Sequence, residues 1–400
     1  MSSGTIYEAD EHEALTDTAF DRDEARSFVV ETVRAVDGMY EPENGWPLHP
    51  EDDYGRGKGA VNLGVYFGAA GSIWALARLA ERYDISLRHD YRRAIARAEE
   101  RYDSYPADER VPSYWMGAAG IAFVRYLLTN EPDALARCIA AAESNLDNPT
   151  REFMWGSPGT VFPALLLRER GDGPQFDALL RSVHDELWET WEPESDEGGL
   201  LWLQELYEQR RRFVGPAHGA ITNVAVFVRA FDLLDTDRRS VFAARLRAML
   251  ERYALSHGDA TNWYSLGQPL EGNRMQWCHG AAGIITSLAA LDRSDDVIED
   301  LLLRGGNGVW LAGALKKGPT LCHGTAGNGF ALLQLGHRTG DELWLQRAQR
   351  FATHAIAQTH AWRSEFGLPS ASLWTGDLGV AVYVDAVLRN DPRVLSHDVT

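Results

Sequence analysis

A short glycine motif returns seven times along this 400-residue chain, each time followed by an apolar stretch with helical spacing. The copies read F-G-A-A-G at 67–71, M-G-A-A-G at 116–120, W-G-S-P-G at 155–159 and H-G-A-I-T at 218–222. H-G-A-A-G at 279–283, H-G-T-A-G at 323–327 and T-G-D-L-G at 375–379 complete the series. From Gly68 to Gly376 the six intervals average about 51 residues, too long for one helix and right for a helix pair with its loops. Stretches after the motif, such as I-I-T-S-L-A-A-L at 284–291, read as buried helices. Stretches between copies, such as residues 341–358, alternate apolar and charged faces and read as outer helices.

Glycines at i and i+3 share one side of a first helical turn, where the missing Cβ lets a neighbouring backbone come close. Repeated seven times, that contact suits inner helices converging on an axis. The expected fold is therefore all-α, an (α/α) toroid of seven inner and seven outer helices in a single domain over residues 26–395. Residues 1–25 read as a polar N-terminal arm, and residues 195–216 as a loop-rich insertion. An open α-solenoid would also show helix pairs, but gives no reason for chemically matched residues to recur at one point of different repeats.

Composition narrows the functional classes. A net charge of −19 repels the phosphate backbone, so nucleic acid is an unsuitable partner. No apolar run approaches the roughly 18 residues of a membrane span, and the acidic N-terminus lacks a signal pattern, so a soluble, cytoplasmic protein is expected. Three cysteines supply no disulfide framework. Cys138 lies in an amphipathic helical run and reads as core packing; the other two sit in W-C-H-G at 277–280 and L-C-H-G at 321–324.

In a toroid, residues just before the first glycine of each copy converge on one mouth. They are Phe67, Met116, Trp155, His218, His279, His323 and Thr375. Three histidines in succession, two of them beside cysteines, are zinc-ligand chemistry rather than a packing pattern. Cys278, Cys322 and His323 are the candidate ligands, with His279 ambiguous. Four ligands would close a structural site, whereas three leave a position for water or substrate. Adjacent side chains reach one ion only across a sharp backbone turn, which favours three. Such a centre suits activation of a thiol for attack on an electrophile, since a free thiol with a pKa of about 8.5 is mostly protonated at neutral pH. His218, on the same rim, suits a general acid or base. Lys316, Lys317 and Arg363 are candidate cations for a carboxylate-bearing thiol substrate.

With A-H-G at 217–219, W-C-H-G at 277–280, L-K-K-G-P-T-L-C-H-G-T-A-G-N at 315–328 and S-L-W-T-G-D-L-G at 372–379, the chain resembles the lanthionine synthetase C-like family. The resemblance implies a sevenfold (α/α) toroid and a zinc ion held by Cys278, Cys322 and His323. It also implies addition of a cysteine or glutathione thiol across dehydroalanine or dehydrobutyrine in a peptide or protein, with His218 as the acid that protonates the enolate. E-F-M-W-G at 152–156 and L-K-K-G at 315–318 look like the glutathione-binding, eukaryotic-type branch, in which residues matching Lys317 and Arg363 contact glutathione. Two departures stand out. Bacterial lantibiotic cyclases carry a catalytic aspartate in the third repeat, where this chain reads R-E-F-M-W-G-S-P-G, and Thr222 replaces the second glycine of the fourth copy. The rival readings are a zinc-containing glutathione or peptide sensor without turnover, and a toroid glycosidase, which would need a carboxylate pair at the mouth.

Overall fold

Every copy of the motif starts a helix, and in all seven the first glycine is the N-cap residue. A glycine cap has no side chain to accept from the free N–H groups of the first turn. The upstream loop does so instead. Ala69 N–H donates to the Asn62 carbonyl at 2.9 Å, Ala118 to Val111 at 3.0 Å, Ala220 to Phe213 at 2.9 Å, Thr325 to Gly318 at 3.0 Å and Asp377 to Ser370 at 3.0 Å. Each of these bonds spans seven residues, so the loop folds back over its helix in the same way.

The second glycine lies under that loop. A Cβ at Gly71, Gly120, Gly159, Gly283, Gly327 or Gly379 would stand 1.7–2.0 Å from the carbonyl oxygen six residues upstream. The same spot also receives a side chain from the preceding repeat: Pro216 at Gly283, Trp277 at Gly327, Leu321 at Gly379, and Leu373 at Gly71 where the ring closes. The expected close approach is thus made by a neighbouring repeat and, more tightly, by the helix's own loop. Thr222 keeps the arrangement by other means, donating its hydroxyl to the Pro216 carbonyl six residues upstream.

The computed structural model describes residues 5–52, 62–195, 199–267 and 273–392. In chain order the helices are α1 (Arg22–Gly38), α2 (Ala69–Arg82), α3 (Tyr91–Asp103), α4 (Ala118–Thr129), α5 (Pro132–Ser144), α6 (Ser157–Thr160), α7 (Phe162–Leu167) and α8 (Asp177–Thr190). They continue with α9 (Ala220–Arg229), α10 (Thr236–Tyr253), α11 (Ala281–Ser287), α12 (Asp296–Ala312), α13 (Thr325–Thr339), α14 (Glu342–Phe366) and α15 (Asp377–Arg389). The inner ring runs α2, α4, α6 with α7, α9, α11, α13 and α15, each packed on the next, and α15 packs back on α2. The third inner helix is broken at Val161, just before Pro163, whose ring cannot continue the hydrogen-bond ladder. Outside lie α1, α3, α5, α8, α10, α12 and α14, with α1 closing the circle against α15. The fold is the expected (α/α) toroid. Among the described residues no helix is long and apolar enough to cross a membrane.

Small strands decorate the rim in antiparallel pairs. β1 (His12–Glu13) joins β6 (Ala314–Leu315), β2 (Gln204–Leu206) joins β3 (Gln209–Arg211), and β4 (Ala254–His257) joins β5 (Ala260–Trp263). The first pair ties down part of the segment read as a polar arm. Ile6 and His12 are buried, and α1 begins at Arg22 on its Asp21 cap, inside the expected boundary at residue 25.

Gly327→Ala should lower stability by about 1–3 kcal/mol, the usual range for forcing atoms into a packed site. Thr222→Gly, which removes a buried side chain and its hydrogen bond but forces no atom into the site, should cost less. Thermal unfolding of the two variants checks the order.

Candidate metal centre

Two residues before each capping glycine the chain runs around the toroid axis, and main-chain hydrogen bonds link one repeat to the next. Ala217 N–H donates to the Cys278 carbonyl at 3.4 Å, Cys278 to Cys322 at 3.0 Å, Cys322 to Trp374 at 3.0 Å, Trp374 to Tyr66 at 2.9 Å and Tyr66 to Trp115 at 2.9 Å. The Ser113 hydroxyl carries the connection on to the Met154 carbonyl. Backbones joined this way lie about 4.8 Å apart, so side chains at matched positions stand next to each other. Cys278 and Cys322 are such neighbours, which is why one thiol meets the other.

The ring is interrupted between the third and fourth repeats. Met154 N–H turns to Glu152 Oε2 at 2.9 Å, while Trp155 and Gly156 donate to Oε1 at 2.5 and 3.3 Å. The fully buried Glu152 carboxylate then accepts from His218 Nδ1 at 2.8 Å. An ionised carboxylate only accepts, so Nδ1 carries the hydrogen, and Nε2 is the nitrogen left for the cavity. Arg151, at φ +44, makes the left-handed turn that aims Glu152, and Asn223 of α9 holds the Arg151 carbonyl at 3.0 Å. A left-handed residue other than glycine costs about 1–2 kcal/mol, and such strain gathers where a side chain must be aimed.

The ligand atoms of Cys278, Cys322 and His323 all lie within 4.8 Å of one another. Donors bound tetrahedrally to one zinc stand about 3.5–3.8 Å apart, from Zn–S of about 2.3 Å and Zn–N of about 2.0 Å. The cluster therefore fits zinc with small side-chain adjustments, and two thiols with one imidazole are the soft donor set that prefers it. A hydrogen bond from Cys322 lowers the pKa of Cys278, helped by Gln276, whose Nε2 stands 2.9 Å from Sγ, and opposed by burial. Burial and the Cys278 neighbour push Cys322 well up, with Tyr66 opposing through a hydrogen bond. The two thiols are thus pulled in opposite directions by their contact with each other. Burial lowers His323 to about 4, with Lys317 and Arg274 adding to the shift, so its imidazole is neutral and able to ligate at neutral pH.

His279 stands outside this group. It is buried, its pKa is lowered to about 3 chiefly by burial, and its ring lies 6.3 Å from that of His218. The backbone explains the separation. Gly280 has φ +121, unlike the first glycines of the other repeats, so the backbone leaves the His279 position by a different turn from the one that follows His323. Three donors leave a metal one coordination position for a substrate atom.

A cavity of about 550 Å³ opens on the cluster. Six of the seven residues before the capping glycines line it: Phe67, Met116, Trp155, His218, His279 and His323; Thr375 does not. Tyr66, Met154 and Tyr207 extend its apolar side, and Arg274, Gln276 and Lys317 its polar side.

A family model for lanthionine synthetase C-like proteins matches residues 59–398. The chain belongs to this family. It is 32% identical over 223 residues to glutathione S-transferase LANCL1 of Danio rerio, covering 50% of each chain. It is 31% identical over 208 residues to LanC-like protein GCL1 of Arabidopsis thaliana, covering 51% of this chain and 46% of that one. The chain thus spans about half the length of the curated relatives it matches. Nisin cyclase shares the fold, with a TM-score of 0.65 over 92% of this chain and 98% of that one at 15% identity.

Within this lanthionine synthetase C-like chain the cations expected at the site are divided. Lys317 lines the cavity but pairs with Glu11 at 3.0 Å, and Lys316 bonds the Asp10 carbonyl at 3.0 Å. Arg363 does not line the cavity: its guanidinium binds Asp377 at 2.7 Å and Thr32 at 2.6 Å, securing α14 and α1 to the start of α15. Arg274, four residues before Cys278, is the cavity-lining cation with no ion pair among the described residues. Sequence reasoning passed over Arg274, Gln276 and Glu152. The signal for Glu152 was a carboxylate in the very stretch searched for an aspartate, one methylene longer.

A zinc ion held by these three groups predicts one metal per chain by plasma mass spectrometry. Cys278→Ala, Cys322→Ala and His323→Ala should each lose it, while His279→Ala retains it.

Proposed function

We propose that this protein adds a thiol, of cysteine or glutathione, across the double bond of dehydroalanine or dehydrobutyrine in a peptide or protein, forming a thioether. The observation that carries the reading is the juxtaposition, on one cavity, of a three-donor cluster that fits zinc with a histidine hydrogen-bonded to a buried carboxylate. The name of one similar protein, a glutathione S-transferase, agrees with a thiol as one reactant.

Bound zinc would supply the positive charge that keeps the incoming thiol ionised. The residues of the chain do the rest. Arg274 attracts the carboxylate of the thiol substrate, and Lys317 does so when Glu11 yields. Phe67, Met116 and Trp155 exclude water from the acceptor side. The sulfur lone pair forms the C–S bond at Cβ, and the π pair of the alkene moves onto the adjacent carbonyl as an enolate. Cα then takes the proton that His218 holds at Nε2. The proton released when the thiol ionises restores the imidazolium. Glu152 stabilises that imidazolium across the 2.8 Å bond and fixes which nitrogen faces the reaction.

Glutathione and a dehydroalanine peptide, followed by mass spectrometry, test the reading. The wild type should give a thioether adduct that a chelator abolishes. His218→Gln and Glu152→Gln should each slow it, the first by about 10²–10⁴-fold, the typical worth of a positioned acid or base. Circular dichroism and zinc content should stay unchanged in both. Saturable glutathione binding with no adduct would return the chain to the sensor role.

A further inference from the structure

The insertion between the third and fourth repeats folds into the β2–β3 hairpin, whose two-residue turn is Tyr207–Glu208. Both residues have positive φ, +52 and +58. That is the pattern of the turn usually made by Asn-Gly, because a side chain there is strained. The hairpin base leaves the turn little freedom. Glu205 N–H donates to the Pro149 carbonyl at 3.1 Å, Gln204 Oε1 accepts from Phe213 N–H at 2.9 Å, and Gln204 and Leu206 are buried.

At the tip, Tyr207 is 66% exposed, yet it lines the catalytic cavity. Its ring stands edge-on to that of His218 at 5.9 Å. A large aromatic is thus held in solvent, on a strained turn, beside the proposed proton donor. Packing does not require it there, since most of the ring is uncovered.

We infer that Tyr207 is a positioning residue for the electrophile: its open ring face is the platform on which the dehydroamino-acid segment of the peptide lies. The inference rests on the thiol-addition reading and adds which reactant occupies which side. The Cα that receives the proton must lie beside His218, and Tyr207 is the ring that neighbours His218 from the hairpin. An α,β-unsaturated amide is flat and conjugated, the shape that stacks on an aromatic face. The thiol belongs on the other side, where Cys278, Cys322, His323 and the cations Arg274 and Lys317 lie.

Tyr207→Gly removes the ring and suits the positive φ, so the thermal midpoint should hold or rise. With glutathione and a fluorescein-labelled hexapeptide carrying one dehydroalanine, KM for the peptide should rise about tenfold, in line with loss of one aromatic contact. KM for glutathione should stay unchanged, and Tyr207→Phe should keep the wild-type peptide KM. An unchanged peptide KM in Tyr207→Gly, or a shift confined to glutathione, overturns the inference while thiol addition stands. If the wild type forms no thioether, the functional reading falls, and fluorescence anisotropy of the same peptide decides the inference alone. Weaker peptide binding by Tyr207→Gly supports it; equal affinity, or no binding by wild type, overturns it.

Discussion

The contact on which the rest depends is the approach of a loop carbonyl to the second glycine of six of the seven repeats. Where that glycine would carry a Cβ at 1.7–2.0 Å from oxygen, the loop instead lies flat over the first helical turn. From there its carbonyls cap the helix, its side chains reach the next repeat, and its main chain enters the ring of hydrogen bonds around the axis. A residue two places before the first, capping glycine has its position set by this arrangement and not by its own chemistry. Tyr66, Trp115, Cys278, Cys322 and Trp374 all occupy it, and the two cysteines stand side by side because they occupy it in adjacent repeats.

The His218–Glu152 pair exists where that regularity fails. If Met154 donated to the next repeat as its counterparts do, the Glu152 carboxylate would lose one of the backbone donors that fix it. Instead three N–H groups at the start of α6 converge on Glu152, a favourable place for negative charge at a helix N-terminus. The left-handed Arg151, the Asn223 bond to its carbonyl and the short third helix are parts of the same local exception.

This division explains what could be read in the sequence. The toroid and the cysteine–histidine cluster were legible because a repeat multiplies its own signal, and because cysteine and histidine are scarce enough for their placement to be informative. Glu152 was not, since its role depends on a backbone turn at Arg151 that no motif encodes. Arg363 was read as a site cation from its charge and from the resemblance, but its partner Asp377 lies one loop away and is buried at the start of an inner helix. Burial pushes the Asp377 pKa up and the guanidinium opposes it, so the arginine answers a structural need there. Tyr207 was hidden in a segment read as loop, because Tyr-Glu is not a sequence that announces a tight hairpin turn.

Charge ties the two halves of the site together. The chain carries a net charge of −19, yet the mouth gathers the positive ends of the inner helices, together with Arg274 and Lys317. Two nearby carboxylates temper that field, and they do so differently. Glu152 is buried and held by His218 and by the N–H groups at the start of α6. Glu11 comes from the N-terminal segment and meets Lys317 where both side chains are partly open to solvent, so a competing carboxylate can displace it at little energetic cost. An acidic protein with a locally positive cavity draws anions to one place and repels them elsewhere. In the proposed reaction the reactant that most needs such a field is a thiol entering as its anion, which would place the electrostatic design on the thiol side and leave the apolar wall of Phe67, Met116 and Trp155 for the neutral electrophile.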